Sequence, residues 1–222
     1  ARGRGTLDKE KPPIFGMIQR NGDVCIQMLA NVKQNTIKPF IAAAAPESGL
    51  FTPDTIIDTG PGYFKVGRKL IRDTHQLGAI DVATVIKKSS NIGASKMAMA
   101  ISPQQLWEAL SGAGFGRSSG SDFPGEAIGV LNDYNHWRPI ERATLSFGYG
   151  ASVTALQLAR SYLLFTGHQQ PPSVSLLRQV YAQQTYFDQS LPYINQQNLL
   201  QVRAMMEGVV GEGGTAKMAD IP

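Results

Sequence analysis

Short apolar runs separated by turn-forming residues divide this chain into predicted strands and helices. Two such runs, residues 14–19 and 23–28, flank the sequence Arg20-Asn21-Gly22. Asparagine followed by glycine between apolar runs is a strong signal for a β-hairpin, because both residues accept the positive φ of a tight turn. The pattern therefore predicts two antiparallel strands in this part of the chain.

Most of the remaining apolar pattern has helical spacing. A helix is predicted over residues 36–45, since Pro39 is tolerated in a first turn and Ala42 to Ala45 give a narrow face that can pack deeply. Asp81 is predicted to cap a helix whose apolar positions include Val82 and Val85. The other predicted helices follow a cap at Ser102-Pro103, follow a cap at Thr154, and cover residues 196–209.

The segments between these helices are rich in glycine, proline and polar residues. Residues 49–73 predict a small excursion of β structure, residues 117–140 a long loop, and residues 176–181 a strand. A hairpin followed by a helical lobe and further helix and strand indicates an α+β fold, with an antiparallel sheet flanked by helices. Residues 1–13 are predicted to be a polar tail or junction, and residues 14–222 one domain.

Composition excludes several functional classes. The 222 residues carry a net charge of +4, and the basic residues are scattered, so nucleic-acid binding is not indicated. The single cysteine, Cys25, gives no disulfide framework, and the three histidines are far apart, so we expect neither a metal site nor a cofactor. No apolar run approaches the ~20 residues that span a bilayer, and no signal peptide is visible.

Three small polar residues, Ser89-Ser90-Asn91, lie where two predicted helices meet. Taken alone, this composition is typical of a helix break, because such side chains bond their own backbone. Upstream, however, Asn35-Thr36-Ile37-Lys38 has the spacing of a Ser-x-x-Lys tetrad with its first residue altered. This second stretch favours a functional role for residues 89–91 over a simple helix break.

Four ordered motifs carry a resemblance to a known family. They are Asn35-Thr36-Ile37-Lys38-Pro39-Phe40, Lys88-Ser89-Ser90-Asn91-Ile92-Gly93, Phe123-Pro124-Gly125-Glu126, and residues 143–150 followed by residues 153–159. Residues 14–222 resemble the transpeptidase domain of class B penicillin-binding proteins, in particular the division-specific enzyme of Gram-negative bacteria. The resemblance implies the fold shared by penicillin-binding transpeptidases and serine β-lactamases.

The resemblance also implies roles for individual residues. Lys38 would be the general base that removes a proton from a hydroxyl one helical turn away, Ser89 the proton relay to the leaving group, and Asn91 a contact to the substrate amide. We therefore expect the side chains of Ser89 and Asn91 to be directed toward Lys38, with the Ser89 hydroxyl within ~8 Å of the Lys38 amine. Ser90, Tyr149 and Gly150 would contribute to substrate binding, although Phe147-Gly148-Tyr149-Gly150 could equally be a tight packing turn.

The chain departs from the family pattern at three points. Asn35 occupies the position of the nucleophilic serine, and Thr36 lies about 100° round the helix, so it is a poor substitute. The Lys-Thr/Ser-Gly motif of the family is missing, and we expect the domain to be truncated just before it and the last strands. Residues 29–34 also replace a longer loop. Asn35 and the short loop are compatible with three origins of this sequence: a natural degenerate copy of the domain, an engineered form, or a partial chain.

The resemblance implies a peptidoglycan D,D-transpeptidase that cross-links stem peptides during septal synthesis and is acylated by β-lactam antibiotics. It further implies a place at the periplasmic face of the inner membrane, with the anchor outside this chain. Expected partners are division-machinery membrane proteins, including a lipid-linked glycosyltransferase. Two alternatives stay open. One is an inactive scaffold or ligand-binding module of the same fold, favoured by Asn35, and the other is a serine β-lactamase, which fits the motif spacing less well.

Overall fold

The chain divides into two compact units, residues 1–33 and residues 34–222. The computed structural model describes residues 14–20, 23–29, 37–121, 124–167, 171, 174 and 194–216. In the first unit, strand β1 (Ile14–Arg20) pairs antiparallel with strand β2 (Asp23–Leu29), which confirms the predicted hairpin. The predicted domain boundary after residue 13 stays a prediction.

Helices are the main regular elements in the described part of the second unit. In chain order they are α1 (Lys38–Ala44), α2 (Val82–Lys87), α3 (Asn91–Ala100), α4 (Pro103–Gly112), α5 (Pro139–Leu145), α6 (Ala155–Tyr162) and α7 (Gln196–Val210). Short 3-10 helices follow at Pro46–Ser48, Tyr134–His136 and Leu163–Thr166. Within the described ranges, no helix has both the length and the apolar character that crossing a membrane requires.

Short antiparallel strand pairs connect these helices, and the fold is α+β as predicted. The pairs are β3 (Ile56–Asp58) with β6 (Ala79–Asp81), β4 (Tyr63–Val66) with β5 (Lys69–Arg72), and β7 (Val130–Leu131) with β8 (Ala151–Ser152). The β4–β5 hairpin confirms the β excursion predicted within residues 49–73. Strands β3 and β6, which lie on either side of this hairpin in the sequence and pair with each other, were not predicted. Strands of three residues are too short to show an alternating pattern.

Helix α1 lies at the centre of the second unit. Every residue of it is buried, and the predicted alanine face from Ala42 to Ala45 is at most 2% exposed. The ring of Phe40 lies 5.1–5.4 Å, centroid to centroid, from the rings of Phe115, Tyr162 and Phe165. Helices α2, α3, α4 and α7 all contact α1, and the small alanine side chains permit their close approach.

The predicted helix caps are confirmed where they are described. The side chains of Asp81, Ser102 and Thr154 each accept a hydrogen bond from the amide three residues further on, at 2.6, 3.2 and 3.1 Å. Each bond satisfies one of the amides that a helix N-terminus leaves without an intrahelical partner. Local sequence therefore determines where α2, α4 and α6 begin.

Helix α5 begins at Pro139, inside the segment that the sequence predicted to be loop. Its start signals were nevertheless present. Proline is favoured in a first turn, and the Glu141 carboxylate accepts a hydrogen bond from the Arg138 amide at 2.9 Å. The apolar face of this helix is only two turns long, so it gave a weak periodic signal. The strand predicted over residues 176–181 and the helical start predicted at Thr36 lie outside the described residues.

Gly93 lies in the first turn of α3, where this helix packs against α2. A Cβ atom added to Gly93 would lie 2.4 Å from Cγ2 and 2.9 Å from Cγ1 of Val85. Val85 is fully buried and β-branched, so it has little freedom to move away. The close packing of the two helices around residues 89–91 therefore requires glycine at position 93.

We expect Gly93→Ala to lower the free energy of unfolding by about 1–3 kcal/mol, because overpacking outweighs alanine's better helix propensity. Urea unfolding measures the change. Gly208→Ala is the matched control: the nearest atom to its added Cβ is Lys87 Cδ at 3.8 Å, so this helical alanine should stabilise the chain. Equal stabilisation by both substitutions would contradict the packing argument.

Candidate active site

Lys38 and Ser89 form the centre of the candidate site. Lys38 is the first residue of α1 and only 2% exposed, and its Nζ donates a hydrogen bond of 2.9 Å to Ser89 Oγ. The sequence predicted these two groups to lie within ~8 Å of each other, since direct or water-bridged proton transfer needs short contacts. That proximity is confirmed.

Burial changes the acid–base chemistry of Lys38. Removal from water lowers the pKa of its amine from 10.5 to about 8, and the negative charge of Asp73 opposes this shift. With such a pKa, about one tenth of the amine is neutral at pH 7. A neutral amine beside a hydroxyl can accept a proton, which is what a general base requires.

Ser89 lies in the break between α2 and α3 and has a left-handed backbone, with φ of +54°. Among the described residues it is the only non-glycine residue with positive φ. Such a conformation costs roughly 1–2 kcal/mol for a residue with a Cβ. The amides of Ser89 and Ser90 donate to the carbonyls of Ile86 and Val85, so the end of α2 holds this strained turn in place.

Asp73, which the sequence reasoning missed, fixes the start of α3. One carboxylate oxygen accepts from the amides of Asn91 and Ile92, at 2.6 and 3.1 Å. The other accepts from the Ser90 hydroxyl at 2.6 Å. Asp73 directly follows β5, and a carboxylate at a helix N-terminus is favoured by the helix dipole. Asp73 therefore fixes Ser90 and Asn91, the two residues that follow Ser89 in the sequence.

Ser90 is almost fully buried, and its hydroxyl has two partners. It donates to Asp73 and accepts from the Gly93 amide at 2.9 Å, so it caps α3. The side-chain nitrogen of Asn91, Nδ2, donates to the Arg72 carbonyl at 3.1 Å. The sequence had predicted instead that this side chain points toward Lys38. The substrate contacts of both residues stay predictions.

A groove of about 290 Å³ opens beside Ser89. Among the described residues, its lining consists of Asp73, Thr74, His75, Leu77, Lys88, Ser89, Gly213, Gly214 and Thr215. One wall follows β5 and the other is the turn after α7. Lined by both charged and small polar groups, the groove suits an extended polar chain better than an apolar ligand.

Tyr149 and Gly150, predicted to support substrate binding, lie outside this groove lining. The Tyr149 ring is 52% exposed and meets the Phe147 ring edge to face, with 5.7 Å between centroids. Phe147 itself is buried in a cluster with Ile71 and Ile92. Residues 147–150 thus form a packing turn, and the predicted substrate contact of Tyr149 and Gly150 stays a prediction.

Two further motif positions, Asn35 and Phe123, lie outside the described residues. The glutamate of the Phe-Pro-Gly-Glu motif is described, and it closes its own loop. Glu126 accepts from the hydroxyls of Ser118 and Ser121, at 2.9 and 3.0 Å, and from the Ser119 amide at 2.9 Å. Hydrogen bonding, chiefly from Ser119, lowers the pKa of this carboxyl from 4.5 to about 2, so Glu126 stays ionised into acid solution below pH 4.5.

Comparison with known proteins gives a consistent result. A family model described as "Penicillin binding protein transpeptidase domain" matches residues 35–222. The chain is 35% identical over 181 residues to the probable peptidoglycan D,D-transpeptidase PenA of Neisseria meningitidis, which covers 82% of this chain and 30% of that protein. It is 35% identical over 128 residues to the peptidoglycan D,D-transpeptidase FtsI of Escherichia coli, covering 58% of this chain and 21% of that protein.

Solved structures agree with the sequence relatives. The apo transpeptidase domain of penicillin-binding protein 3 from Burkholderia pseudomallei superimposes with a TM-score of 0.78 and 36% identity, covering 86% of this chain and 56% of that one. A crystal structure described as a peptidoglycan glycosyltransferase from Burkholderia ambifaria gives a TM-score of 0.77 and 35% identity. The chain spans less than a third of the length of the two curated relatives above.

The buried amine makes stability depend on pH. In the folded chain the pKa of Lys38 is about 8, below its ordinary value of 10.5, so between these values the unfolded chain holds more protons and stability rises with pH. We therefore expect Lys38→Met to raise the free energy of unfolding by about 1–3 kcal/mol at pH 7, with a smaller gain near pH 10. Urea unfolding at the two pH values measures this. Lys69→Met removes an exposed charge and serves as the control. A Lys38→Met chain that is destabilised equally at both pH values would contradict the burial argument.

Proposed function

This chain belongs to the family of penicillin-binding protein transpeptidase domains, and we propose that it is a peptidoglycan D,D-transpeptidase domain of the class B type. Its substrates are the stem peptides of peptidoglycan, which it joins during septal cell-wall synthesis, and β-lactam antibiotics acylate the same site. The observation that carries the proposal is the 2.9 Å hydrogen bond between a buried lysine amine and Ser89.

The chemistry follows from this pair. In acyl transfer a hydroxyl attacks the carbonyl carbon of the donor amide, and its proton has to go to a base. The neutral Lys38 amine accepts that proton. As the carbon–nitrogen bond breaks, Ser89 gives its hydroxyl proton to the departing amine and takes the proton back from the Lys38 ammonium, 2.9 Å away. The acyl group then rests on the hydroxyl oxygen until the amine of a second stem peptide attacks and releases it.

Position 35 decides whether this sequence of steps can start. By resemblance to the family motif, residue 35, three positions before Lys38, is the position of the attacking hydroxyl. An asparagine amide has no proton that this lysine could remove to make a nucleophile. With Asn35 the chain has the proton-transfer pair and the groove, and covalent turnover needs serine at that position.

Asn35 also favours a second candidate function, a non-enzymatic module of the same fold that binds stem peptides or β-lactams reversibly. The groove beside Ser89 would then serve recognition only. The two candidates differ in one property, since only the enzyme forms an acyl adduct once a serine is present.

The proposal extends to the cellular setting. Peptidoglycan lies outside the inner membrane, so the domain would act at the periplasmic face of that membrane. The resemblance to division-specific enzymes supports partners in the division machinery, among them a lipid-linked glycosyltransferase. β-Lactam binding follows from the shared site, because these drugs present an acylating carbonyl to the same groove.

Residue 35 provides the test. With Asn35, incubation with a fluorescent penicillin followed by a denaturing gel should leave the protein unlabelled, and intact-mass measurement should show no adduct. With Asn35→Ser, in the protein expressed with the flanking sequence that its gene encodes, we expect covalent labelling. Loss of a nucleophile or base usually removes most of the rate, so Asn35→Ser combined with Lys38→Met should be unlabelled on the same time scale.

Two outcomes would overturn parts of this account. An adduct on residue 35 of the Asn35 protein would show that our interpretation of that position is wrong. An unlabelled Asn35→Ser protein that still binds penicillin reversibly in a calorimetric titration would favour the ligand-binding module over the enzyme.

A further inference from the structure

The turn that follows α7 forms one wall of the groove and has an unusually restrictive backbone. The amide of Gly214 donates to the Gly211 carbonyl, and the amide of Ala216 to the Val209 carbonyl, both at 3.0 Å. Gly213 has φ of +74°, and a Cβ added to Gly214 would lie 1.9 Å from the Val209 oxygen. The turn 211–216 is therefore folded tightly onto the end of α7.

A lysine far away in the sequence fastens this turn. The Nζ of Lys88 donates a 2.7 Å hydrogen bond to the Gly213 carbonyl. The hydroxyl of Thr215 donates to the Lys87 carbonyl at 3.5 Å, the long limit for such a bond. Both contacts connect the end of α2 to the turn, and the one from Lys88 is the shorter and is made by a charged donor.

Lys88 directly precedes Ser89, the residue that faces Lys38. Lys88, Ser89, Gly213, Gly214 and Thr215 all line the groove. The opposite side is formed by the segment after β5, which Asp73 fixes through the start of α3. The hydrogen bond from Lys88 is thus the shorter of the two contacts that link the segment before Ser89 to the turn 211–216.

We propose that Lys88 is a positioning residue, which holds the turn 211–216 against the Ser89 segment and so sets the width of the groove for an extended peptide. The identity of that peptide rests on the function proposed above, while the mechanical role of Lys88 does not. The amine of Lys88 bonds the Gly213 carbonyl, whereas Lys38 is the amine that bonds Ser89. The Lys88 ammonium acts through the turn, and the neighbouring Lys87 has no such bond from its side chain among the described residues.

Hydrogen exchange of backbone amides, followed by mass spectrometry or NMR, tests the positioning role directly in the chain with Asn35. We expect Lys88→Met to speed exchange at the Gly214 and Ala216 amides by about tenfold, because opening of the turn exposes them. Amides of α1 should exchange as before, which shows that the fold is intact. Lys87→Met removes the same charge one residue away and should change the turn by less than about twofold. Lys88→Arg, which keeps a charged donor, should restore most of the protection.

Unchanged exchange in Lys88→Met, or an equal effect of Lys87→Met, would overturn the proposal. A second readout concerns the ligand. In the Asn35→Ser protein, Lys88→Met should raise the penicillin concentration for half-maximal labelling severalfold, with a smaller change in the limiting rate. A turn that opens without any change in that concentration would show that Lys88 does not set the groove. Absence of labelling in the Asn35→Ser parent would count against the proposed function only, and the exchange result would still decide the role of Lys88.

Discussion

A lysine amine buried beside a serine hydroxyl is the constraint on which the second unit of this protein depends. Burying an amine is unfavourable unless it finds partners or loses its charge, so the surroundings of Lys38 have to be built for it. The wholly buried helix α1 brings the amine to the centre of the unit, and its alanine face allows four other helices to approach. Ser89 then supplies a hydroxyl at 2.9 Å.

Ser89 has a strained backbone conformation, and contacts of the neighbouring residues stabilise it. A left-handed serine between two helices is unfavourable by itself, and it persists because Asp73 anchors the helix that follows and Gly93 lets that helix lie close to α2. Asp73 also lies near enough to Lys38 to oppose the fall in its pKa. The Asp73 carboxylate therefore influences both the geometry of residues 89–91 and the charge of Lys38.

Sequence and structure agree where the determining interactions are local. Asp81, Ser102 and Thr154 were predicted as caps because a cap needs only the amides of the next turn. Asp73 could not be found in this way. The hydrogen-bond partners of Asp73 are Ser90 and the two residues after it, far from Asp73 in the sequence. Only the folding of the β4–β5 hairpin and α2 brings the carboxylate close to them.

The candidate site shows the same division. Lys38 and Ser89 were predicted from their motifs and meet in the structure. Motif spacing does not determine which partners the neighbouring side chains bond. The Ser90 hydroxyl caps α3, and the side-chain amide of Asn91 donates to the Arg72 carbonyl. The sequence also does not predict that the turn at Gly213 forms the far wall of the groove, since a glycine-rich turn carries no chemistry of its own.

The state of the Lys38 amine tests this account most directly. Lysine side chains labelled with ¹³C at Cε can be titrated by NMR, and the signal that disappears in Lys38→Arg is assigned to Lys38. The account predicts a titration midpoint near pH 8, well below the ordinary lysine value of 10.5. A midpoint at the ordinary value would contradict it, because an amine that stays fully charged at neutral pH could not act as the base beside Ser89.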